Sequence, residues 1–249
     1  MKNNEVDLDN LVLRDLQWDT EYFGVKCGRI DLIKNINEKD SEYISKFLNS
    51  KEFVILTNSK KLPHNSEYIG KNLKTFITDI NVQLKKKQIK VYDDFDDSNI
   101  EISNNINFEN EIVELAKNAF ENSRFLNDSN ITKEKAEGVY ANWVSNSFKK
   151  ESKYFITYKL EEKIIGFILF SINKLNELVI ELICVSNKFK GKGIGTVLMK
   201  KLDMFALENK IKLIKVGTQI ENINALNFYT SCGYKIDDIK YIYHWWNKC

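Results

Sequence analysis

The spacing of apolar residues divides the second half of the chain into alternating predicted helices and strands. A repeat of 3.6 residues predicts helices, and a repeat of two residues or a short apolar run predicts strands. In chain order the predictions are helices over 108–122 and 132–149, strands near 153–159, 163–172 and 176–185, a helix over 194–209, a strand at KLIKVGT, a short helix at NALNFYTSC and a strand at KYIYHWW. Thr132 suits the N-cap of the second helix, and Gly233 suits a left-handed position after the short helix. The order of the elements is therefore ααβββαβαβ.

The first half of the chain shows a separate and shorter set of elements. Residues 11–32 are predicted as strand, short helical turn and strand, 41–48 as an amphipathic helix, and EFVILTN and KTFITDINVQLKKK as strands. The pattern then stops at the acidic, Asn-rich stretch YDDFDDSNIEISNN. We therefore place a boundary near residues 93–105 and predict domains over 1–98 and 106–249. The segment DDFDD lacks the spacing and glycine of a calcium loop, so we interpret it as a linker and predict no metal.

Composition narrows the class of protein. The chain has 249 residues, 43% hydrophobic content and a net charge of +2, which indicates a globular protein and gives no basis for nucleic-acid binding. The four cysteines form no CxxC pair and no zinc spacing. No apolar run approaches the roughly 20 residues of a membrane-spanning helix, and the N-terminus MKNNEVDLDN is polar. These features predict a soluble, cytoplasmic protein with reduced thiols that does not bind a membrane.

A glycine-rich corner lies between a predicted strand and a predicted helix, in LICVSNKFKGKGIGTVLMKKL. Gly191, Gly193 and Gly195 alternate with other residues, and lysines flank them. Such a corner can bind an anion, because backbone N–H groups converge at a helix N-terminus and glycine lets a phosphate approach closely. The spacing matches neither a P-loop nor a dinucleotide fingerprint. A loop that merely needs unusual dihedral angles is the alternative interpretation.

A second segment gives the corner a more specific meaning. Three parts of the sequence follow one another here: Val185, then Lys190-x-x-Gly193-x-Gly195, then Asn222-x-x-Ala225-x-x-x-Tyr229-x-x-x-Gly233-Tyr234. Together they resemble the signature of the GCN5-related N-acetyltransferases (GNAT). The resemblance covers roughly residues 106–249. It implies an α+β fold with a mixed, twisted sheet whose two central strands splay apart around acetyl-CoA, the co-substrate. One departure is Lys190, where the family usually has Gln or Arg; lysine keeps the charge but not the planar fork.

A narrower resemblance concerns the acceptor. The segments WDTEYFG and SRFLNDSNITKEKAEGVYANWVSNS are similar to those of TDP-fucosamine N-acetyltransferases. This resemblance implies an incomplete N-terminal copy of the GNAT fold ahead of the catalytic one. It also implies that the acceptor is a small-molecule amine, namely a TDP-linked 4-amino-4,6-dideoxygalactose. A homodimer is an open alternative to a monomer.

The resemblance also implies roles for individual residues. Tyr229 matches the family's general acid, and Asn222 matches a side chain that bonds the CoA arm. The other residues that the resemblance assigns to acetyl-CoA are Ile183, Cys184, Val185, Lys190, Gly191, Lys192, Gly193, Ile194, Gly195 and Thr196. Arg124 and Asp128 lie between the two leading helices, where the family admits the acceptor. Tyr229 as a buried aromatic and Asn222 as a helix cap remain alternatives.

The general base is less clearly indicated by the sequence. Strand alternation places Glu181 on the same side as Ile183 and Val185, where a carboxylate can take the proton of the amine; an exposed strand residue is the equal alternative. His244 is a weaker candidate, and His64, beside the only proline, is interpreted as a loop residue. Cys184 is interpreted as a core thiol.

Two other functions remain open. The first is a GNAT enzyme that acetylates another amine, such as an amino acid, antibiotic, polyamine or protein N-terminus. The second is a CoA-binding module without turnover.

Overall fold

A computed structural model describes residues 5–93, 95–105, 108–117, 123–148 and 150–247. The chain forms two compact units. Unit 1 contains Met1–Val82, Asn127–Asn130 and Asp238–Cys249, and unit 2 contains Gln83–Leu126 and Ile131–Asp237. This division differs from the predicted one, because the end of the chain leaves unit 2 and contributes a strand to unit 1.

Unit 1 is a mixed sheet with helices. Its elements are β1 Glu5–Asp7, β2 Leu11–Asp15, α1 Gln17–Phe23, β3 Cys27–Leu32, α2 Glu38–Asn49, β4 Phe53–Ser59, α3 Pro63–Asn72, the first part of β5 Thr75–Lys86 and most of β11 Lys235–Trp246. The strand order is β1-β2-β3-β4-β11. Strands β3 and β4 are parallel and joined through α2, whereas β11 is antiparallel to β4. The core is aliphatic and includes Ile30, Ile44 and Leu56.

Local sequence explains two helices of unit 1. α2 starts at a capping box in which the Asn37 side chain accepts from the Asp40 N–H at 3.1 Å and the Asp40 carboxylate accepts from the Asn37 N–H at 2.9 Å. α3 begins with Pro63 in its first turn, where a proline is tolerated. α3 was not predicted from the sequence, and the interpretation of His64 as a loop residue is wrong because His64 lies in the first turn of this helix.

Unit 2 confirms most of the predicted elements of the second half. They are the end of β5, β6 Ile100–Ser103, α4 Glu109–Lys117, α5 Lys133–Ser147, β7 Lys153–Leu160, β8 Lys163–Ile172, β9 Leu178–Val185, α6 Ile194–Glu208, β10 Ile214–Gln219 and α7 Ile223–Ser231. The strand order is β10-β9-β8-β7-β6. Thr132 caps α5, and Gly233 has φ +88° after α7, both as predicted. The predicted helix over 108–122 is confirmed to Lys117; residues 118–122 lie outside the described residues.

The two central strands of unit 2 separate along their length. The parallel pairing of β9 with β10 joins Leu178 to Ile214 and ends where Ile180 meets Val216. The remainder of β9, as far as Val185, continues without that partner. The splayed central strands implied by the resemblance are therefore present.

The same order of elements occurs in both units. In unit 1 an antiparallel pair, β2 and β3, is followed by α2, a parallel strand β4 and α3. In unit 2 the antiparallel pair β8 and β9 is followed by α6, the parallel strand β10 and α7. Both units thus contain the crossover in which a helix joins two parallel strands.

Two features are absent from the described part of the chain. None of its helices combines the length and apolar character that crossing a bilayer requires. Within the same residues, no cluster of three or more His, Cys, Asp or Glu side chains is placed to hold a metal ion.

Candidate active site

The glycine corner has the backbone that its sequence predicts. Gly191 and Gly193 have φ values of +77° and +82°, which residues with a side chain rarely adopt. Gly193 is the N-cap of α6 and offers no side chain to its first-turn N–H groups. A Cβ built on either glycine meets no atom within 4 Å. The corner is therefore an open N-terminus, and these two glycines are needed for its conformation.

A cavity of about 610 Å³, which we call the glycine cavity, opens at this corner. All of the predicted acetyl-CoA residues line it except Lys192 and Asn222; they are Ile183, Cys184, Val185, Lys190, Gly191, Gly193, Ile194, Gly195 and Thr196. The first three belong to the part of β9 that has separated from β10. The structure thus brings the two halves of the predicted cofactor site together.

The electrostatics of the corner favour an anion. Lys190 lines the glycine cavity, and the Lys192 ammonium lies 5.0 Å from the centre of the Phe189 ring. Neither lysine forms an ion pair with a carboxylate in the part of the chain that the structure describes. The N-terminus of α6 adds partial positive charge. These groups can hold a phosphate or diphosphate.

Helix α7 contributes residues that the sequence analysis did not select. Asn224, Ala225 and Phe228 line the glycine cavity, whereas the Asn222 side chain accepts from the Ala225 N–H at 3.1 Å and caps the helix. A Cβ on Gly195 would stand 3.2 Å from the Phe228 ring, so α6 and α7 approach closely here. The available signal was helical spacing, because Ala225 lies three residues after the cap and Phe228 three residues after Ala225.

Tyr229 is buried beside the cavity wall and not in it. Its neighbour Phe228 lines the glycine cavity, and the Tyr229 ring packs 5.8 Å from that of Tyr234. Burial, and then the nearby Cys232 thiol, raise the pKa of Tyr229. None of the described residues hydrogen-bonds its hydroxyl. The phenol is therefore protonated and has a proton to give, and the geometry is also that of a core aromatic.

Glu181 is engaged in a network that the sequence did not reveal. Strand pairing joins Leu169 to Leu182 and Phe170 to Ile180, so Glu181 is the extra residue of a β-bulge. Its carboxylate accepts from Ser171 Oγ at 2.6 Å and Trp143 Nε1 at 3.3 Å and pairs with Lys153. It lines neither cavity near β9. Exposure still alternates along β9, with Glu181 in phase with Ile183 and Val185, and the contacts of Glu181 favour a structural role.

Arg124 and Asp128 belong to different units, and each has its own surroundings there. Arg124 belongs to unit 2, where its guanidinium lies 4.4 Å from the centre of the Phe125 ring. Asp128 belongs to unit 1, is 1% exposed, and accepts from Trp246 Nε1 at 2.8 Å while lying 2.7 Å from His244 Nδ1. Asp128 therefore anchors its loop to β11, and its contacts do not favour the predicted role in acceptor binding.

Acid should expose the contribution of Asp128 to stability. Burial alone would raise its pKa, but hydrogen bonds from His244, Trp246 and Asn130 outweigh burial and lower the pKa from 3.8 to about 2. A group whose pKa is lower in the folded state than in the unfolded state stabilises the fold at pH values above its unfolded-state pKa. This stabilisation is lost as the pH falls through its folded-state pKa. We expect about 1–2 kcal/mol of unfolding free energy to be lost between roughly pH 4 and pH 2.

The measurement is denaturant unfolding across that pH range. Asp128→Asn should be less stable at neutral pH and should lack this part of the acid dependence. The exposed Glu42→Gln variant is the control and should follow the wild type. An Asp128→Asn variant with the same acid dependence as the wild type would contradict the assignment.

Comparisons with known proteins agree with this site. Residues 111–234 match the acetyltransferase (GNAT) family. The spore coat polysaccharide biosynthesis protein SpsD of Bacillus subtilis (strain 168) is 27% identical over 135 residues, which are 54% of this chain and 46% of that protein. Streptothricin acetyltransferase A of the same organism is 36% identical over 81 residues, 32% of this chain and 47% of that protein. The chain thus spans less than half the length of these relatives.

A solved structure extends the likeness to nearly the whole chain. The GCN5-related N-acetyltransferase from Kribbella flavida covers 98% of this chain and 89% of its own, with a TM-score of 0.63 and 9% identity. At this identity the likeness concerns the fold alone. The family match spans the strands, the glycine corner and α7 that build the site, so residues 111–234 form a domain of the acetyltransferase (GNAT) family.

Proposed function

We propose that the protein is an acetyl-CoA-dependent N-acetyltransferase that acts on a small-molecule amine. The observation that carries this proposal is the glycine cavity, which opens between the splayed end of β9 and the uncapped N-terminus of α6. Family membership supports the reaction class. A cavity with an anion site at one end and, at its wall, a strand edge that has separated from β10 suits a donor with a diphosphate and a long amide-containing arm.

Some residues at the glycine cavity would bind acetyl-CoA, and others would take part in the reaction. Lys190 and the corner of Gly191 and Gly193 would hold the diphosphate, and the edge of Ile183–Val185 that faces away from β8 would bond the arm. Acetyl-CoA, when bound, supplies an acetyl group activated as a thioester. A backbone N–H of β9 would stabilise negative charge on the carbonyl oxygen. The buried Tyr229 hydroxyl would give its proton to the departing sulfur.

We further propose a nucleotide-linked 4-amino-4,6-dideoxy sugar as the acceptor. The similarity to TDP-fucosamine N-acetyltransferases and to a protein named for polysaccharide biosynthesis supports this choice. The relative named streptothricin acetyltransferase supports another amine as the alternative. Because acetyl-CoA is an intracellular metabolite, the proposed reaction would take place in the cytoplasm.

We also propose that the first part of the chain is an incomplete GNAT-like copy, predicted over 1–98 ahead of a catalytic domain over 106–249. The repeated order of an antiparallel pair, a crossover helix, a parallel strand and a helix supports this proposal. Unit 1 has no counterpart of the glycine corner in the segment between β3 and α2, IKNIN. Acetyl-CoA binding is therefore proposed for unit 2 alone.

Gly193→Val tests the placement of acetyl-CoA. A branched side chain is strained at φ +82° and projects into open space at the corner. We expect acetyl-CoA affinity, measured by calorimetry, to fall by at least about tenfold, the equivalent of one lost charge-assisted contact. The fold, monitored by circular dichroism, should persist.

Gly233→Val is the matched control. Gly233 also has a left-handed φ, +88°, but it lies outside the glycine cavity. This variant carries the same backbone strain and should bind acetyl-CoA like the wild type. Equal loss in both variants, or no loss in Gly193→Val, would place the donor elsewhere.

A further inference from the structure

A cavity of about 660 Å³ lies in unit 1 and is lined by residues of that unit alone. It opens between the C-terminal half of α2, the end of α3, the start of β5 and the end of β11. We call it the tryptophan cavity, because Trp245 and Trp246 both line it. It shares no lining residue with the glycine cavity, so the proposed donor site does not account for it.

The aromatic walls of the tryptophan cavity are held in place by packing. Trp245 packs against the aliphatic core of unit 1. The Trp246 ring stacks on that of Phe53, with the ring centres 4.4 Å apart, and its indole N–H donates to Asp128 at 2.8 Å. Phe76, which is 37% exposed, adds a third ring. A ligand with apolar faces can pack on these rings, and the fixed indoles lose little conformational freedom when it binds.

The polar side chains of the cavity offer hydrogen-bonding groups of both kinds. Among the described residues, none hydrogen-bonds the Asn49 amide or the Trp245 indole N–H. Asn72 and Asn247 each donate through Nδ2 to a backbone carbonyl, at 3.0 Å and 3.5 Å, which leaves the amide oxygen of each as the group for a ligand. The cavity can therefore both donate hydrogen bonds to a ligand and accept them from it.

The lining of the cavity does not favour a charged or a flat ligand. Among the described residues that line it, Lys74 alone is charged, and its side chain is exposed. Helices α2 and α3 both end at the cavity, and the partial negative charge of a helix C-terminus opposes an anion. Trp245 and Trp246 are successive strand residues and point to opposite faces of the sheet. The two indoles therefore do not sandwich a flat heterocycle such as a nucleobase.

We propose that the tryptophan cavity is a binding site for a neutral oligosaccharide. An uncharged sugar ring has apolar C–H faces that pack on aromatic rings, and its hydroxyl groups both donate and accept hydrogen bonds. The volume lies in the upper half of the range of about 300–1,000 Å³ for small-molecule sites, which leaves room for more than one sugar ring. Unit 1, which lacks a glycine corner, would thus contribute carbohydrate binding and not a second donor site.

The test is binding of neutral disaccharides to the full chain, measured by calorimetry and by the NMR signals of the tryptophan indoles. The probes are maltose, cellobiose, lactose and N,N′-diacetylchitobiose. We expect at least one to bind with a Kd of about 1 mM or below and to shift the signals of Trp245 and Trp246. Asn49→Ala and Trp245→Phe each remove one hydrogen-bonding group and should weaken that sugar about 3–10-fold. Phe76→Ala removes an exposed ring and should weaken it about tenfold or more.

Asn35→Ala and Trp18→Phe are the matched controls, since both residues belong to unit 1 and lie outside the cavity. Both variants should bind the sugar like the wild type. Asn49 is exposed, so Asn49→Ala decides the question even if Trp245→Phe does not fold.

The proposal is overturned if none of the four sugars binds, or if the cavity variants bind like the controls. It is also overturned if thymidine monophosphate shifts the indole signals of Trp245 and Trp246 and the sugars do not, because the cavity would then take a nucleotide. Failure of the proposed function is separate from these outcomes. Gly193→Val should lose acetyl-CoA affinity and keep the sugar affinity of the wild type.

Discussion

Tyr229→Phe should lower kcat by about 10²–10⁴-fold, the usual cost of losing a general acid. The change removes only the hydroxyl, so the packing against Phe228 and Tyr234 persists. Acetyl-CoA affinity should change little, because the proton is needed only as the thiolate departs. Steady-state kinetics with acetyl-CoA and a saturating amine measure the effect.

Tyr234→Phe is the matched control for Tyr229. Tyr234 is 2% exposed, and its hydroxyl has no hydrogen-bond partner within the described chain. Loss of that hydroxyl should leave kcat near the wild-type value, since a buried hydroxyl without a partner contributes nothing favourable.

A donor with a more acidic thiol sharpens the interpretation of Tyr229. Its sulfur leaves with less help, so Tyr229→Phe should lower kcat by a smaller factor with that donor than with acetyl-CoA. If Tyr229→Phe keeps the wild-type kcat with acetyl-CoA when chemistry is rate-limiting, then Tyr229 is only a core aromatic and its assignment as the general acid fails.

Lys86→Met should lower the free energy of unfolding by about 3–5 kcal/mol, the typical cost of breaking a buried ion pair. Lys86 Nζ lies 2.5 Å from Asp203 Oδ2, and the two side chains are 3% and 1% exposed. The variant leaves Asp203 buried with one described hydrogen bond, from Tyr92 at 2.8 Å. Denaturant unfolding at neutral pH measures the loss.

Two further variants separate the ion pair from simple loss of packing. The double variant Lys86→Met with Asp203→Leu removes both charges and should recover most of the lost stability. Lys201→Met breaks the pair with Asp97, whose side chain is 45% exposed, and should cost less than about 1 kcal/mol. Equal losses of unfolding free energy in Lys86→Met and Lys201→Met would show that burial of an ion pair does not determine the cost of breaking it.

The fold of unit 2 was largely predictable because its elements are strongly periodic. The strands β7, β8 and β9 lie where their apolar patterns place them, and α6 begins at Ile194 directly after the glycine corner. β6 was missed because Ile100–Ser103 lies in a polar, acidic stretch and is covered only by its pairing with β7. A short edge strand carries little hydrophobic signal of its own.

The candidate site was predictable where a motif encodes it and not where distant residues meet. The glycine corner and the end of β9 are local features, and most of the predicted residues line one cavity. The bulge at Glu181 depends on pairing with β8, and the contact of Asp128 with His244 joins residues 116 apart in the chain. The membership of the last strand in unit 1 was not predictable for the same reason, because it depends on pairing with β4.

The proposed reaction is tested most directly by incubating the full chain with acetyl-CoA and a nucleotide-linked 4-amino-4,6-dideoxy sugar. Free CoA thiol and the acetylated sugar are measured together, by thiol titration and mass spectrometry. The proposal predicts that both appear in equal amounts, only with enzyme present, and far more slowly with Tyr229→Phe. Tight binding of acetyl-CoA without an acetylated product from this sugar or any other amine tested would contradict it and indicate a CoA-binding module.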